Sequence, residues 1–324
     1  MNWLRQHGLD PRGIGWFVAI AYTLNWLLAL PMWLDGHGLQ SPWARVIIAM
    51  NFVPSVALLF VTRWISPLPQ LRRATGVCLG VKGSGWGWYW LFGWLGLVAC
   101  SIVAPFVAAL LGLYELDPVH FSGYRAAIEA MPGGTEFLAR MPIEVWVPLF
   151  MLSFPLQTLM LIPLAFGEEW GWRGYLLPRL LPLGQWPALL IIGAIWGLWH
   201  APVILLGFNY PQHPVLGVLV MVGSCMLIGT LLGWLRLASG SVWPAVLGHA
   251  GLNASAGAII MLAVDANAID TTQVGMLGWS GWIVPLLVIA FLVITRRLPV
   301  RTLPKVSAST GLAPPPAPHH ERIA

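Results

Sequence analysis

Long apolar runs recur through this chain, and they decide what it can fold into. Runs of this length are typical of membrane-spanning helices. We count eight such segments, at 15–34, 46–65, 86–113, 155–180, 186–208, 215–234, 242–264 and 281–295. The chain is 58% hydrophobic with a mean hydropathy of +0.75, more apolar surface than a water-soluble domain can bury. The sequence therefore predicts an all-α, polytopic transmembrane helical bundle of about eight spans in a lipid bilayer.

Basic residues are distributed unevenly between the two sides that an even number of spans defines. Arg45, Arg125 and Arg140 fall on one side, whereas thirteen Lys and Arg residues fall on the side of both termini. Because cytoplasmic loops carry an excess of Lys and Arg, this pattern predicts a multi-pass protein of the inner (plasma) membrane with both termini in the cytoplasm. The net charge of +5 is explained by this distribution, so no nucleic-acid partner is expected.

The chain divides into one membrane domain and a tail. Residues 1–304 contain all the apolar segments without an internal repeat, so we assign them to a single transmembrane helical domain. Residues 305–324 have a low-complexity composition rich in Pro, Ala and His, which predicts a disordered cytoplasmic tail. The longest connection, at 114–147, is predicted to be an outer connector with a short surface helix at 124–131. The three scattered cysteines indicate neither a disulfide framework nor a zinc knuckle.

Two adjacent carboxylates interrupt the fourth apolar segment. Glu168 and Glu169 are followed by Arg173, four residues after the second of them. Ionised groups within a bilayer cost roughly 2.5–3.5 kcal/mol each on insertion scales, so they are rare without a function. Residues four apart share a helix face, which predicts that Glu169 and Arg173 form an ion pair supporting the site. Glu168 points about 100° away from Glu169 and is left free to act as a general base.

Three further polar residues lie inside apolar segments, at a depth similar to that of the carboxylates. Glu168 and His200 are each sixteen residues from a tight connection near Gly184, so antiparallel helices place them at the same height. His249 and Asn253 are four apart on one face of the seventh segment. At about 1.5 Å per residue, all four fit a layer roughly 15–25 Å from the inner turns. The sequence therefore predicts one polar site built by three helices.

Small residues indicate where these helices can pack closely. Gly193 with Gly197, and Gly229 with Gly233, are each four residues apart. This spacing places both members of a pair on one helix face and is typical of close-contact helix pairs. The pattern allows close packing of the fifth and sixth segments without specifying which helices meet.

Three known active-site arrangements for hydrolysis within a membrane fit this sequence poorly. The run Gly278–Gly281 looks like the nucleophile motif of rhomboid proteases, but the only histidines after Ser280 are His319 and His320 in the predicted tail. A complete His-Glu-x-x-His zinc motif is absent from the sequence. No pair of aspartates falls within the apolar segments, which excludes an aspartyl plan.

Three motifs in order resemble those of the CPBP family. They are Glu-Glu-Trp-Gly-Trp-Arg at 168–173, Trp-Gly-Leu-Trp-His at 196–200, and His-Ala-Gly-Leu-Asn at 249–253. This family groups the CAAX prenyl endopeptidases of the Ras-converting type with bacteriocin-processing and self-immunity proteins. The resemblance covers a CPBP-like catalytic core at about 150–262. Trp196 departs from the family, which usually has Phe there, but it retains an aromatic wall.

The resemblance implies an intramembrane endopeptidase that acts on a membrane-associated protein or peptide. Glu168 would activate a water, His200 would position or polarise it, and His249 and Asn253 would stabilise the oxyanion. Family members are often called metalloproteases, and Glu168, His200 and His249 could instead form a zinc site with an open position. The residues leave both mechanisms open. We favour the metal-free one, because only two histidines reach the site and Asn is a poor zinc ligand.

A non-catalytic membrane protein is the alternative. An immunity factor, a scaffold or a small-solute or proton transporter could use the same helices, since intramembrane carboxylates and histidines also serve proton relays. Transporters commonly show inverted repeats with broken helices in both halves, and the sequence shows no such repeat. A closed cavity shared by the polar residues would favour the enzyme, and a continuous pore would favour transport.

Overall fold

The computed structural model describes residues 8–80 and 86–301, and this part of the chain is almost entirely helical. Its helices are α1 (Pro11–Leu34), α2 (Val46–Met50), α3 (Val53–Phe60), α4 (Leu71–Ala74), α5 (Trp86–Leu110), α6 (Ser122–Glu129), α7 (Gly134–Arg140), α8 (Ile143–Leu152), α9 (Phe154–Glu169), α10 (Leu177–Leu180), α11 (Gln185–Trp199), α12 (Ala201–Ile204), α13 (Pro214–Ser239), α14 (Trp243–Ser255), α15 (Ala258–Met261) and α16 (Ile283–Ile294). Two π-helical segments, Val61–Ile65 and Trp170–Leu176, continue α3 and α9. Within these ranges, strand pairing is limited to an isolated bridge between Leu116 and Ala263. The predicted all-α architecture is confirmed.

Several of these helices are long and apolar enough to cross a membrane. Three qualify singly, namely Pro11–Leu34, Gly87–Leu110 and Pro214–Ser239. Two bent pairs raise the number to five if each is one span, namely Pro42–Met50 with Val53–Ile65 and Ile143–Leu152 with Phe154–Leu183. Gln185–Trp199 and Trp279–Ile294 are shorter apolar helices. The chain is a helical membrane protein. The number of eight spans stays a prediction. The predicted disordered tail at 305–324 lies outside the described residues.

Two of the predicted spans are broken near the polar residues. The segment predicted at 186–208 is divided at His200, between α11 and α12. Pro202 explains this break, because proline has no N–H to donate to the carbonyl four residues earlier. The segment predicted at 242–264 is divided between Ser255 and Ala258, where Gly257 lowers the helix propensity. Both breaks fall within four residues of a predicted site residue.

The connections of the bundle gather at two ends. At one end, the side chain of Gln185 donates to the carbonyl of Val300 at 2.8 Å, so the last described residues lie beside the turn at Gly184. At the opposite end, the side chain of Gln212 donates to the carbonyl of Ile269 at 2.8 Å. Gln185 and Val300 thus lie at one end of the bundle, and Gln212 and Ile269 lie at the other. Which end faces the cytoplasm stays a prediction.

The connection at 114–147 packs against the end of the seventh apolar segment. It contains α6 and α7 where a single short helix was expected, and the amide of Asp117 donates to the carbonyl of Leu262 at 2.8 Å. Burial raises the pKa of the Asp117 carboxyl, but hydrogen bonds from Ser122 and from neighbouring amides outweigh it, so this pKa lies well below its ordinary value. The carboxylate therefore fixes the start of α6 at neutral pH.

Glycines bring α11 and α13 into close contact. A Cβ added at Gly193 would lie 2.5 Å from the Cα of Met226, and one added at Gly197 would lie 2.5 Å from the Cα of Val222. A Cβ at Gly229 would lie 3.5 Å from the Cα of Gly193. The close packing predicted from the glycine spacing is confirmed, and its partners are now identified as these two helices. The contact fixes the position of α11, which leads into His200.

Gly193→Ala is expected to destabilise the protein, because its new methyl group would meet backbone atoms that cannot move independently of their helix. Overpacking of this kind costs about 1–3 kcal/mol. Thermal unfolding of detergent-solubilised protein measures the effect. Gly15→Ala is the matched control, since a Cβ at Gly15 would have no heavy atom within 4 Å. Equal melting temperatures for the two variants would contradict this account of the contact.

Candidate active site

Glu168 lies near the end of α9, buried at 4% exposure. Its Oε2 accepts a hydrogen bond from the indole Nε1 of Trp196 at 2.7 Å. Its Oε1 has no hydrogen-bond partner in the described part of the chain. Beyond the carboxylates the backbone continues as the π-helix Trp170–Leu176, a form that frequently occurs at functional sites. One oxygen of this carboxylate is therefore held, and the other is available.

Glu169 and Arg173 form the predicted ion pair, and both side chains are completely buried. Arg173 Nη1 lies 2.7 Å from Glu169 Oε1, and His249 Nδ1 lies 3.0 Å from the same oxygen. The guanidinium carbon of Arg173 also lies 4.3 Å from the ring centroid of Trp196, in cation–π contact. Glu169 Oε2 and Arg173 Nε and Nη2 lack hydrogen-bond partners among the described residues. The pair thus connects α9 with the helices that carry His249 and Trp196.

The backbone and aromatic neighbours of His200 determine its orientation. Its Nδ1 lies 2.8 Å from the carbonyl oxygen of Trp196. A carbonyl oxygen can only accept a hydrogen bond, so Nδ1 carries the proton and Nε2 is the acceptor of the neutral ring. The ring centroid of Trp199 lies 5.0 Å from that of His200 in an edge-on contact. His200 is therefore held at one nitrogen and one face.

A cavity of about 720 Å³ brings the four predicted catalytic residues together. Glu168, His200, His249 and Asn253 all line it. The Trp196 ring, whose N–H bonds Glu168, has its centroid 5.7 Å from that of His200 and 5.2 Å from that of His249. The lining continues into the loops at 208–212 and 266–277, which belong to the end opposite the described termini. The cavity is therefore bounded on that side by these two loops.

Asn253 differs from the other three residues in its exposure and its bonding. It is exposed, and its side-chain amide makes no hydrogen bond within the described ranges. Its donors are consequently free for a group in the cavity. His249, one turn earlier, uses Nδ1 to reach Glu169 and is buried at 4% exposure. Both side chains line the cavity, but only that of His249 is held in place by a hydrogen bond among the described residues.

The cavity wall also contains polar residues that sequence reasoning missed. Asn51, between α2 and α3, and Ser101, on α5, line it from outside the motif-bearing segments, and the completely buried Asn25 of α1 lies in its wall. Asn25 places a side-chain amide within the first apolar segment, so a signal of the kind that identified Asn253 was present there too. Trp196 was expected to be an aromatic wall, whereas its N–H group is a direct partner of Glu168.

The zinc alternative finds no preformed ligand set in this arrangement. No three His, Cys, Asp or Glu side chains in residues 8–80 and 86–301 are placed to hold a metal ion together. Trp196 bonds one oxygen of Glu168, and Nδ1 of each imidazole is bonded to another group, so Glu168 Oε1 and the two Nε2 atoms are the donors that a metal ion would use. The zinc site of Glu168, His200 and His249 stays a prediction, and no chemical step below is routed through a metal.

Comparisons with known proteins agree with the motif resemblance. Residues 148–255 match a family model described as Rce1-like, type II CAAX prenyl endopeptidase. A curated protein from Methanococcus maripaludis, CAAX prenyl protease 2, is 27% identical over 124 residues, which are 36% of this chain and 45% of that protein. The chain thus spans less than half the length of this relative. The predicted resemblance to the CPBP family is confirmed.

Arg173→Met is expected to destabilise the protein strongly, because it leaves the Glu169 carboxylate buried without its cation. Removing one partner of a buried pair costs about 3–5 kcal/mol. The double variant Glu169→Gln/Arg173→Met should recover part of that loss, since no uncompensated charge then remains. The free energy of unfolding in detergent micelles measures both effects.

The exposed pair of Arg125 and Glu144 provides the control for this experiment. Its side chains are 36% and 45% exposed, so Arg125→Met should cost no more than about 1 kcal/mol. If Arg173→Met were as stable as Arg125→Met, the buried ion pair would not have the structural role assigned to it.

Proposed function

We propose, from the match of residues 148–255 to the Rce1-like type II CAAX prenyl endopeptidases, that this membrane protein is an intramembrane endopeptidase. Its substrate would be a membrane-associated protein or peptide, in keeping with the relative from Methanococcus maripaludis, CAAX prenyl protease 2. The observation that carries the proposal is the convergence of Glu168, His200, His249 and Asn253 on one cavity. A base, two imidazoles and an amide donor suffice for peptide-bond hydrolysis.

Glu168 is the group placed to activate water. The Trp196 N–H holds Oε2 and leaves Oε1 to accept a proton from a water in the cavity. The water oxygen then attacks the carbonyl carbon of the peptide bond, while its proton passes to Glu168. His200 would orient the same water through its Nε2 acceptor, since Nδ1 is bonded to the Trp196 carbonyl.

Asn253 and His249 would stabilise the oxyanion of the tetrahedral intermediate. Asn253 offers an unengaged amide, and donors aimed at developing charge in a water-poor site are effective catalysts. His249 can donate from Nε2 when its ring carries both protons, and Glu169 is the counter-ion of that form. Collapse of the intermediate breaks the C–N bond, and Glu168 returns its proton to the leaving amine.

The form of the cavity supports an enzyme over a transporter. Its described lining residues include outer loops but none from the end that carries the described termini. The completely buried pair of Glu169 and Arg173 lies next to the lining residues Glu168 and Trp196, on the side away from the cavity. A transport path would require an opening there. We place the protein in the inner membrane with both termini cytoplasmic, on the strength of the uneven basic residues.

Glu168→Gln is expected to abolish cleavage. Loss of a general base lowers the rate by about 10²–10⁴-fold. The assay uses purified protein in proteoliposomes and a quenched fluorescent peptide with a prenylated cysteine four residues from its carboxyl terminus, the arrangement that defines a CAAX sequence. An unprenylated copy of the peptide tests whether the lipid is needed.

The substitution is conservative, so a loss of activity can be separated from a loss of structure. The amide oxygen of the introduced glutamine can still accept from Trp196, and the melting temperature should therefore stay close to that of wild type. Glu144→Gln, which changes an exposed carboxylate in the first turn of α8, is the matched control and should cleave normally. Cleavage by Glu168→Gln at the wild-type rate would rule out the catalytic assignment.

A further inference from the structure

The helix that leads into His200 ends with carbonyl groups that need partners from outside the helix. The last four carbonyls of an α-helix have no intrahelical donors. Helix α11 ends at Trp199, and the His200 ring satisfies the carbonyl of Trp196 at 2.8 Å. The carbonyl of Trp199 accepts from the side-chain nitrogen of Asn25 at 2.6 Å. A residue of the first helix therefore completes the end of the helix on which His200 is placed.

The first helix holds Trp199 at two points. Besides the bond from Asn25, the indole Nε1 of Trp199 donates to the carbonyl of Ala21 at 3.2 Å. Asn25 and Ala21 are four apart on α1 and thus share a face. The Trp199 ring in turn packs edge-on against His200 with centroids 5.0 Å apart. The position of the imidazole is therefore linked to α1 through the backbone carbonyl and the ring of one residue, Trp199.

A third contact fixes the chain after the break. The indole Nε1 of Trp33 donates to the carbonyl of Pro202 at 3.0 Å. The bonds from Asn25 and Trp33 thus reach the backbone on both sides of His200. Asn25 is completely buried, so its bond to the carbonyl is shielded from water. Helix α1 lies outside the matched residues 148–255.

We propose that Asn25 is a positioning residue for His200, acting through the carbonyl and the ring of Trp199. This inference rests on the proposed function, because it concerns how the imidazole meets the reacting water. It assigns to α1, which carries none of the three motifs, a part in building the site.

Asn25→Leu tests the proposal, with Tyr22→Phe as the matched control. Leucine has the same number and branching of side-chain heavy atoms as asparagine but cannot donate to Trp199. Tyr22 also joins α1 to α11, since its hydroxyl donates to the carbonyl of Ile195 at 2.7 Å, but this bond lies one turn away from Trp199. Both variants lose one bond between the same helices, and only one loses the bond beside the imidazole.

The kinetic measurement uses the full chain in proteoliposomes with the prenylated fluorescent peptide. Asn25→Leu is expected to lower kcat by roughly ten- to a hundred-fold with KM unchanged, because a misplacement of a catalytic group by about 1 Å has an effect of this size. Tyr22→Phe should keep kcat and KM while its melting temperature falls by a similar amount. A wild-type kcat in Asn25→Leu, or an equal loss in Tyr22→Phe, would overturn the proposal. Asn25→Ala serves if Asn25→Leu does not fold.

A second measurement is independent of activity. Nitrogen-15 NMR of histidine-labelled protein in detergent reports which ring nitrogen of His200 carries the proton, with His200→Gln assigning the signal. The wild type and Tyr22→Phe should show the Nδ1–H tautomer, whereas Asn25→Leu should show a mixture. An unchanged spectrum in Asn25→Leu would overturn the positioning role. Cleavage by Glu168→Gln at the wild-type rate would instead overturn the proposed function and leave this spectral result standing.

Discussion

The ion pair of Glu169 and Arg173 is the interaction on which the site depends. Two charged groups with no exposed surface are costly to bury, and their attraction offsets that cost only when the geometry is good. Here one carboxylate oxygen meets both the guanidinium and the His249 ring, and the guanidinium lies over Trp196. Three helices are consequently fixed by one pair of charges. Glu168, His200 and His249 are each a neighbour of that pair or of its aromatic cover, Trp196.

The two adjacent carboxylates have different surroundings because the helix turns between them. Glu169 points into the bundle and is bonded to a cation, whereas Glu168 points into the cavity and is bonded to a neutral indole N–H. A neutral donor orders one oxygen without supplying a compensating charge. The second oxygen then has the freedom that a proton acceptor requires. A single step along the backbone therefore separates a structural role from a chemical one.

The sequence was sufficient to predict the apolar segments, the ion pair and the common depth of the polar residues. These features depend on spacing, and spacing is a property of the helix itself. The bond from Trp196 to Glu168 could not be predicted, because spacing specifies a face and not the direction of an indole N–H. The breaks at His200 and Gly257 were also missed, although Pro202 was visible. The role of Asn25 could not be predicted either, because it depends on a hydrogen bond to a backbone carbonyl of another helix, which residue spacing does not specify.

The π-helix at Trp170–Leu176 has a consequence for how this site tolerates change. A π-helical turn holds one residue more than an α-helical turn, so this segment contains a residue in excess of a regular helix. Deleting one residue there would give a smoother helix, but it would rotate the carboxylates by about 100° relative to everything that follows. The regular helix and the assembled site are thus mutually exclusive in this sequence. The backbone irregularity therefore allows the two carboxylates to reach their partners while the run from Trp172 to Leu177 stays buried.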